Sequence, residues 1–184
     1  MPVYNAPMYP PAGYQASDYG YKAMAYDPVE SSTTSSPLAN NGQVYTSRII
    51  LRQRALISNV ILQVFTAGAT LTANQCIAGL YNSSGTLLSS TANQATNWQS
   101  AGTKVMALTA AQDCAPGAYD VAFYANGTTR PAFLRANPDF NVNLGLATAA
   151  WRFATADTGR TTTLPSPLGT KVVTNLFPYW SAVS

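Results

Sequence analysis

The sequence has no histidine and very little charge. Only 9% of its 184 residues are charged, with ten Lys and Arg, seven Asp and Glu, and a net charge of +3, whereas globular domains usually have about 25%. The absence of His removes the commonest general base and the commonest metal ligand. The ten cations are few and scattered, which excludes nucleic-acid binding by phosphate neutralisation.

Long apolar runs are also missing. No run approaches the about 20 residues that a membrane-spanning helix needs. The first residues, MPVYNAPMYPP, have neither the basic start nor the apolar stretch of a secretion signal. We therefore expect no membrane contact and no export leader.

Few residues remain that could carry catalysis. The only Glu is Glu30, and the Asp residues occur singly, without the spacing that would pair two carboxylates across a cleft. Asp120 alternates with apolar residues in AYDVAFY, so we expect it to face solvent or a sheet edge. Other candidate acids are Asp113, Asp139 and Asp157. We predict that the chain is not an enzyme and has no catalytic residues, metal ligands or cofactor.

The two cysteines, Cys76 and Cys114, are separated by 38 positions and form no CxxC pair. We interpret both as small buried hydrophobic residues. A disulfide is the alternative, and spacing alone does not decide it.

Residues 1–28 differ in composition from the rest of the chain. They contain six of the eleven tyrosines and five of the twelve prolines. Pro10, Pro11 and Gly13 exclude a regular helix, and an extended segment this short cannot bury its own rings. We predict an extended arm that docks on another protein or on neighbouring copies, the alternative being a low-complexity tail. The predicted partner-binding residues are Tyr4, Tyr9, Tyr14, Tyr19, Tyr21 and Tyr26.

The remaining sequence predicts an all-β fold. Residues 29–43 are rich in Ser, Thr and Asn and are predicted to be a linker. Over residues 44–184, short apolar and β-branched segments alternate with turn signals about every ten residues, and no window has helical spacing. We predict an antiparallel β-sandwich or jelly-roll-like domain there.

Several local assignments follow from the same pattern. We expect a central strand at 56–66, a loop at 67–75, a hairpin at 76–91 and a strand at 118–125 that ends in an Asn126-Gly127 turn. Further short strands are predicted at 104–109, 131–136, 141–147, 151–154, 171–177 and 179–184.

Two sets of side chains are candidate contacts. Arg48, Arg52 and Arg54 form the only local basic cluster, which is interpreted as charge that guards an exposed strand edge, the alternative being a patch for an acidic partner. Trp98 lies in the polar segment NQATNWQS, so it is a candidate glycan contact; a loop plug or an interface residue is the alternative. Trp151 and Trp180 are assigned to the core.

The segments SNVILQVFTAGATLTANQ (58–75) and AGLYNSSGTLL (78–88) resemble a module of structural proteins from tailed phages that infect actinobacteria. The resemblance covers about residues 23–184 and includes AMAYDP (23–28) and the closing YWSAVS (179–184). In that family the module is part of minor tail or tail-fibre-like proteins. The resemblance brings no catalytic or binding residues with it.

This resemblance implies a virion structural protein, assembled in the host cytoplasm. We expect an accessory subunit, either a capsid decoration protein or a minor tail protein, that is anchored to other virion proteins through its arm with the β-sandwich exposed. The alternative is a tail-fibre-type adhesin that binds host-surface glycans. A homo-oligomer is expected, with a trimer as one form.

Overall fold

The computed structural model describes residues 14–32, 37–136, 142–172 and 178–184. Over these residues the chain forms strands and short 3-10 turns and no α-helix, as the all-β prediction requires. The 3-10 turns are Ala16–Tyr19, Pro28–Glu30, Asn97–Gln99 and Thr148–Ala150. The strands are β1 (Ala23–Met24), β2 (Ser31–Ser32), β3 (Tyr45–Leu51), β4 (Ala55–Thr66), β5 (Ala69–Asn82), β6 (Leu87–Ser90), β7 (Gly102–Cys114), β8 (Gly117–Thr129), β9 (Ala132–Phe133), β10 (Arg135–Ala136), β11 (Phe153–Thr155) and β12 (Ser181–Val183).

Two antiparallel sheets pack face to face and confirm the predicted β-sandwich. The first sheet has the order β1-β12-β4-β7, with β9 also paired to β4, and the second has the order β11-β3-β8-β5-β6. Alternate residues of both sheets meet in one core, which includes Ile49, Leu62, Leu80 and Phe123. The ring of Phe123 packs edge-on against Phe133, with centroids 5.0 Å apart.

The outer face of the second sheet is covered by the segment 156–172. Leu164 from this segment packs with Ile77, Ala122 and Tyr124 in a second apolar cluster. A Cβ at Gly79 would lie 2.6 Å from Leu164 Cδ1, so only glycine lets the leucine approach the sheet so closely. Both faces of β8 are therefore buried, which an alternating sequence pattern does not reveal.

The N-terminal segment is part of the first sheet. Ala23 and Met24 pair with Val183 and Ala182, and Lys22 donates its backbone N–H to the Val183 carbonyl at 2.8 Å. Residues 14–28 thus pack on their own domain, which differs from the extended arm we expected. The extended form was wrong for residues 14–28 because Tyr21 and Tyr26 find apolar partners near the C-terminus, at a sequence separation that local composition cannot show. Docking on a neighbouring protein stays a prediction. Tyr4 and Tyr9 lie outside the described residues.

The linker expected at 29–43 is also partly folded over its described residues. Ser31–Ser32 pairs with Arg135–Ala136, and Leu38 is 1% exposed. The Leu38 N–H donates to the Pro131 carbonyl at 3.1 Å. This segment therefore belongs to the surface of the sandwich.

Several local predictions are confirmed and others are wrong. The central strand at 56–66 and the hairpin at 76–91 are present as β4 and as the β5–β6 pair. Residues 69–75, expected to be a loop, continue β5, and residues 142–145 form a turn where a strand was expected. Asn126 and Gly127 lie within β8. Most of the predicted strand at 171–177 lies outside the described residues.

Gly127 is required for close backbone approach. A Cβ there would lie 2.8 Å from the Thr70 carbonyl oxygen of the neighbouring strand. The Asn126 amide donates to Gln75 Oε1 at 2.9 Å and to the Arg160 carbonyl at 2.8 Å. The dipeptide that indicated a turn therefore fixes β8 to β5 and to the covering segment.

Candidate functional site

Four aromatic rings form a continuous series across the N-terminal segment, which we call the aromatic ladder: Tyr14, Tyr19, Tyr21 and Trp180. Successive ring centroids are 5.7 Å, 6.1 Å and 5.7 Å apart. Trp180 is 3% exposed, whereas Tyr19 is 39% and Tyr14 is 63% exposed. The ladder therefore runs from the buried surface of the first sheet to solvent, and it ends where residues 1–13 join the domain.

Asp27 holds the exposed end of the ladder in place. Its carboxylate accepts hydrogen bonds from the Tyr14 N–H at 2.8 Å, the Tyr19 hydroxyl at 3.1 Å and the Val29 N–H at 3.1 Å. The hydrogen bond from the Val29 N–H, together with the other two, lowers the pKa of Asp27. This carboxylate is thus occupied by donors of its own chain.

The buried end of the ladder is fixed by Tyr26. The indole N–H of Trp180 donates to the Tyr26 carbonyl at 3.1 Å, and the Tyr26 hydroxyl donates to the Pro178 carbonyl at 2.8 Å. Burial raises the pKa of the Tyr26 hydroxyl well above its usual range. Trp180 lies over Ile61 and Ala182 and covers the outer face of the first sheet, which agrees with its assignment to the core.

A groove of about 910 Å³ lies between the ladder and the second half of β3. We call it the β3 groove. Ile50 and Ala118 lie along the second sheet, Tyr14 and Tyr21 line the opposite side, and the exposed cations Lys22, Arg52 and Arg152 surround it. Sequence reasoning identified Arg52 and the tyrosines but missed Lys22 and Arg152, because their proximity depends on strand pairing across the domain.

Arg48 also lines the groove, but its guanidinium is buried in an ion pair. It forms a two-point ion pair with Asp120, at 3.0 Å from Nε and 2.9 Å from Nη2, and Lys171 Nζ lies 2.8 Å from the same carboxylate. The side chains are 8%, 2% and 8% exposed for Arg48, Asp120 and Lys171, respectively. Burial lowers the pKa of Lys171, an effect that the nearby Asp120 opposes.

Two predictions about this triad are wrong. Asp120 was expected to face solvent or an edge, and Arg48 was expected to guard an exposed strand edge. Both side chains point to the outer face of the second sheet, which the segment carrying Lys171 covers. The three arginines predicted to form one basic cluster therefore lie in different surroundings. Arg48 is buried, Arg52 is at the groove, and Arg54 pairs with Asp113 at the surface.

Trp98, the candidate glycan contact, is fully buried. Its ring packs edge-on against Phe133 with centroids 5.1 Å apart, and its indole N–H points to the Met106 sulfur at 3.2 Å. Its polar neighbours Asn93, Thr96, Gln99 and Ser100 are exposed, while the ring fills the core between the two sheets. The glycan prediction for Trp98 is wrong, and its alternative, the loop plug, is correct.

Cys76 and Cys114 are both buried and unbonded, as predicted. Burial raises the pKa of each thiol. Among the residues that the structure describes, no three His, Cys, Asp or Glu side chains lie close enough together to hold a metal ion. Asp139 lies outside those residues.

The described helical turns are all too short to cross a membrane. A scan against models of protein families found no match to this chain, and no curated protein is significantly similar to it. The aromatic ladder and the β3 groove are therefore interpreted from their own geometry.

Proposed function

We propose that the chain is a structural subunit of a bacteriophage virion, an accessory protein of the capsid or tail. Its N-terminal segment attaches it to other virion proteins, and its β-sandwich faces outward. In this proposal a homo-oligomer of the chain binds to the particle, and the domain has no catalytic activity.

The observation that carries the proposal is the exposed end of the aromatic ladder. Tyr14 and Tyr19 form an edge-to-face pair that remains accessible at the point where residues 1–13 join the domain. Tyrosine rings combine large apolar area with a hydroxyl group and are enriched in protein interfaces. Tyr4 and Tyr9 precede them in the sequence, so the ladder and the leading residues can offer one contact surface to a neighbouring subunit. The resemblance to actinobacteriophage structural modules supports the same conclusion.

The test is incorporation into particles made by the phage genome that encodes the chain. We expect the chain in purified particles and about tenfold less of it when Tyr14→Ala and Tyr19→Ala are combined, since about 1.4 kcal/mol of lost binding gives that factor. Leu56→Ala is the matched control, because Leu56 is an exposed apolar residue, at 59%, away from the ladder. Particles that lack the chain, or that take up the double variant at the normal level, would contradict the proposal.

A second candidate function is a tail-fibre-type adhesin that binds host-surface glycans. The exposed Tyr14 and Tyr19 rings favour it, because the faces of aromatic rings can stack on sugars. A multivalent display of the full chain is expected to bind actinobacterial cells in this case, and Tyr14→Ala is expected to weaken that binding. Absence of binding even in multivalent form would eliminate the adhesin.

A further inference from the structure

The β3 groove contains an unpaired strand edge. β11 pairs with β3 only over Tyr45–Ser47, and the last bond on that side is from the Arg48 N–H to the Arg152 carbonyl at 2.7 Å. Within the described parts of the chain, no strand pairs with this side of Ile49–Leu51. In an antiparallel ladder, backbone groups two residues apart point to the same side. The Ile50 N–H and carbonyl therefore point away from β8, toward the groove.

The unpaired charged side chains around this edge are all cations. Lys22, Arg52 and Arg152 are exposed and make no side-chain hydrogen bond or ion pair within the described residues. Arg48 is paired with Asp120, which Lys171 also contacts. Asp27 is the one acidic side chain among the described residues that line the groove, and its ionised carboxylate accepts three hydrogen bonds from its own chain. The groove thus offers three free cations beside backbone groups that can pair with a strand.

We infer that the β3 groove binds an acidic, extended segment of a neighbouring protein, which adds as a strand to the free edge of β3. Exposed strand edges bind extended peptides through main-chain hydrogen bonds, and side-chain charges select the partner. The identification of that neighbour as a virion protein rests on the proposed function. The assignment of the groove as a binding site for an acidic strand does not depend on it.

The chain's own leading residues are a poor fit to this edge. Residues 1–13 contain no acidic side chain and include four prolines, which cannot donate ladder hydrogen bonds. Charge complementarity and strand pairing both favour a different segment, one in which carboxylates alternate with β-branched residues.

The test uses the full chain and a fluorescein-labelled peptide of sequence EVEVEVE, with binding followed by fluorescence anisotropy. We expect saturable binding that weakens as salt rises from about 0.05 to 0.5 M, where the screening length shortens severalfold. Combining Arg52→Gln with Arg152→Gln is expected to weaken binding roughly three- to tenfold. Arg54→Gln is the control for Arg52→Gln alone, because each removes one positive charge and Arg54 belongs to a surface pair with Asp113 outside the groove.

Two further probes separate strand addition from simple charge attraction. The same peptide with alternate backbone nitrogens methylated keeps its charge but cannot form the main-chain hydrogen bonds to β3. We expect it to bind at least tenfold more weakly. Equal binding of the methylated peptide, or equal competition by inorganic polyphosphate, would overturn the inference. Displacement of the probe by a synthetic peptide of residues 1–13 would assign the groove to the chain itself and would also overturn it.

These outcomes are independent of the proposed function. Failure of the peptide to bind, in a chain that is incorporated into particles, contradicts only the inference. Specific peptide binding by a chain that is absent from particles contradicts only the virion assignment.

Discussion

Asp120 is the residue whose environment departs most from its sequence context. Its neighbours in β8 alternate between the core and the outer face, and the outer face is covered by a segment about 50 positions later. One carboxylate is therefore the shared partner of two buried cations, Arg48 and Lys171. Removing one member of a buried ion cluster leaves uncompensated charge, which costs far more than the cluster adds.

We predict that Asp120→Asn lowers the free energy of unfolding by about 3–5 kcal/mol, because two buried cations lose their counter-charge. Urea unfolding of the full chain measures this value. Asp113→Asn is the matched control: it breaks the exposed pair with Arg54, and we expect no measurable change in stability. A decrease in the free energy of unfolding for Asp120→Asn as small as that for Asp113→Asn would contradict the buried cluster of Arg48, Asp120 and Lys171.

Single residues also show the limits of prediction from sequence. The burial of Cys76, Cys114 and Trp180 was predictable, because free cysteine is usually buried and Trp180 lies in an apolar segment. Trp98 and Asp120 were misplaced because their partners, Phe133 in one case and Lys171 in the other, are distant in sequence. Local polarity indicates what surrounds a residue along the chain but not what covers it in space.

At the scale of elements, the N-terminal segment behaves as a strap on the first sheet. β1 pairs with β12 through only two residues. Most of the attachment of the segment therefore comes from the rings of Tyr21 and Tyr26, which pack against Trp180 and Phe153. Such ring pairs contribute roughly 0.5–1.5 kcal/mol beyond the area they bury. The strap should therefore open locally with a free energy set by these contacts.

Tryptic cleavage after Lys22 measures this opening. We predict slow cleavage in the isolated full chain, and cleavage roughly tenfold faster with Tyr21→Ala, which corresponds to about 1.4 kcal/mol of lost packing. Tyr19→Ala, which removes a ring that does not touch Trp180, is expected to have a smaller effect. Cleavage of the native chain at the rate of the unfolded chain would show that the strap is not attached.

Strand prediction succeeded where apolar alternation was strong and failed where tertiary contacts replaced it. The central strand and the 76–91 hairpin have dense β-branched and apolar residues and a local turn. The first half of β5 was missed because its sequence, ATLTANQ, is mostly polar, as in a loop. In the structure its side chains are mostly exposed, and Thr70 and Asn74 have positive φ. The Asn126-Gly127 pair was wrongly predicted to be a turn, because its glycine is needed for the close approach of β8 to β5.

At the scale of the whole molecule, buried tyrosines make stability depend on alkaline pH. Burial raises the pKa of Tyr26, Tyr81 and Tyr179 well above the usual range and raises that of Tyr124 to about 12. These groups bind protons more tightly when folded, so their contribution is complete below about pH 10 and is lost as pH rises further. The lowered pKa of Lys171 has the opposite sign, but its effect ends near pH 10.5.

We therefore predict that stability falls steeply above about pH 10. Near-ultraviolet tyrosinate absorbance should show the exposed tyrosines ionising first. The five whose hydroxyl pKa is raised chiefly by burial should ionise only as the fold is lost, namely Tyr26, Tyr45, Tyr81, Tyr124 and Tyr179. The same chain in urea, where all eleven tyrosines are accessible, should titrate in one step near pH 10. A single step in the folded protein would contradict the burial of these hydroxyls.

The central claim is that the exposed end of the aromatic ladder contacts a neighbouring subunit in an assembled particle. The most direct measurement is photo-crosslinking within intact particles from p-benzoylphenylalanine in place of Tyr14, with the same group in place of Leu56 as the control. We predict a crosslink from position 14 to another virion subunit and none from position 56. A chain that is absent from particles, or a position 14 that crosslinks no more than position 56, would contradict the claim.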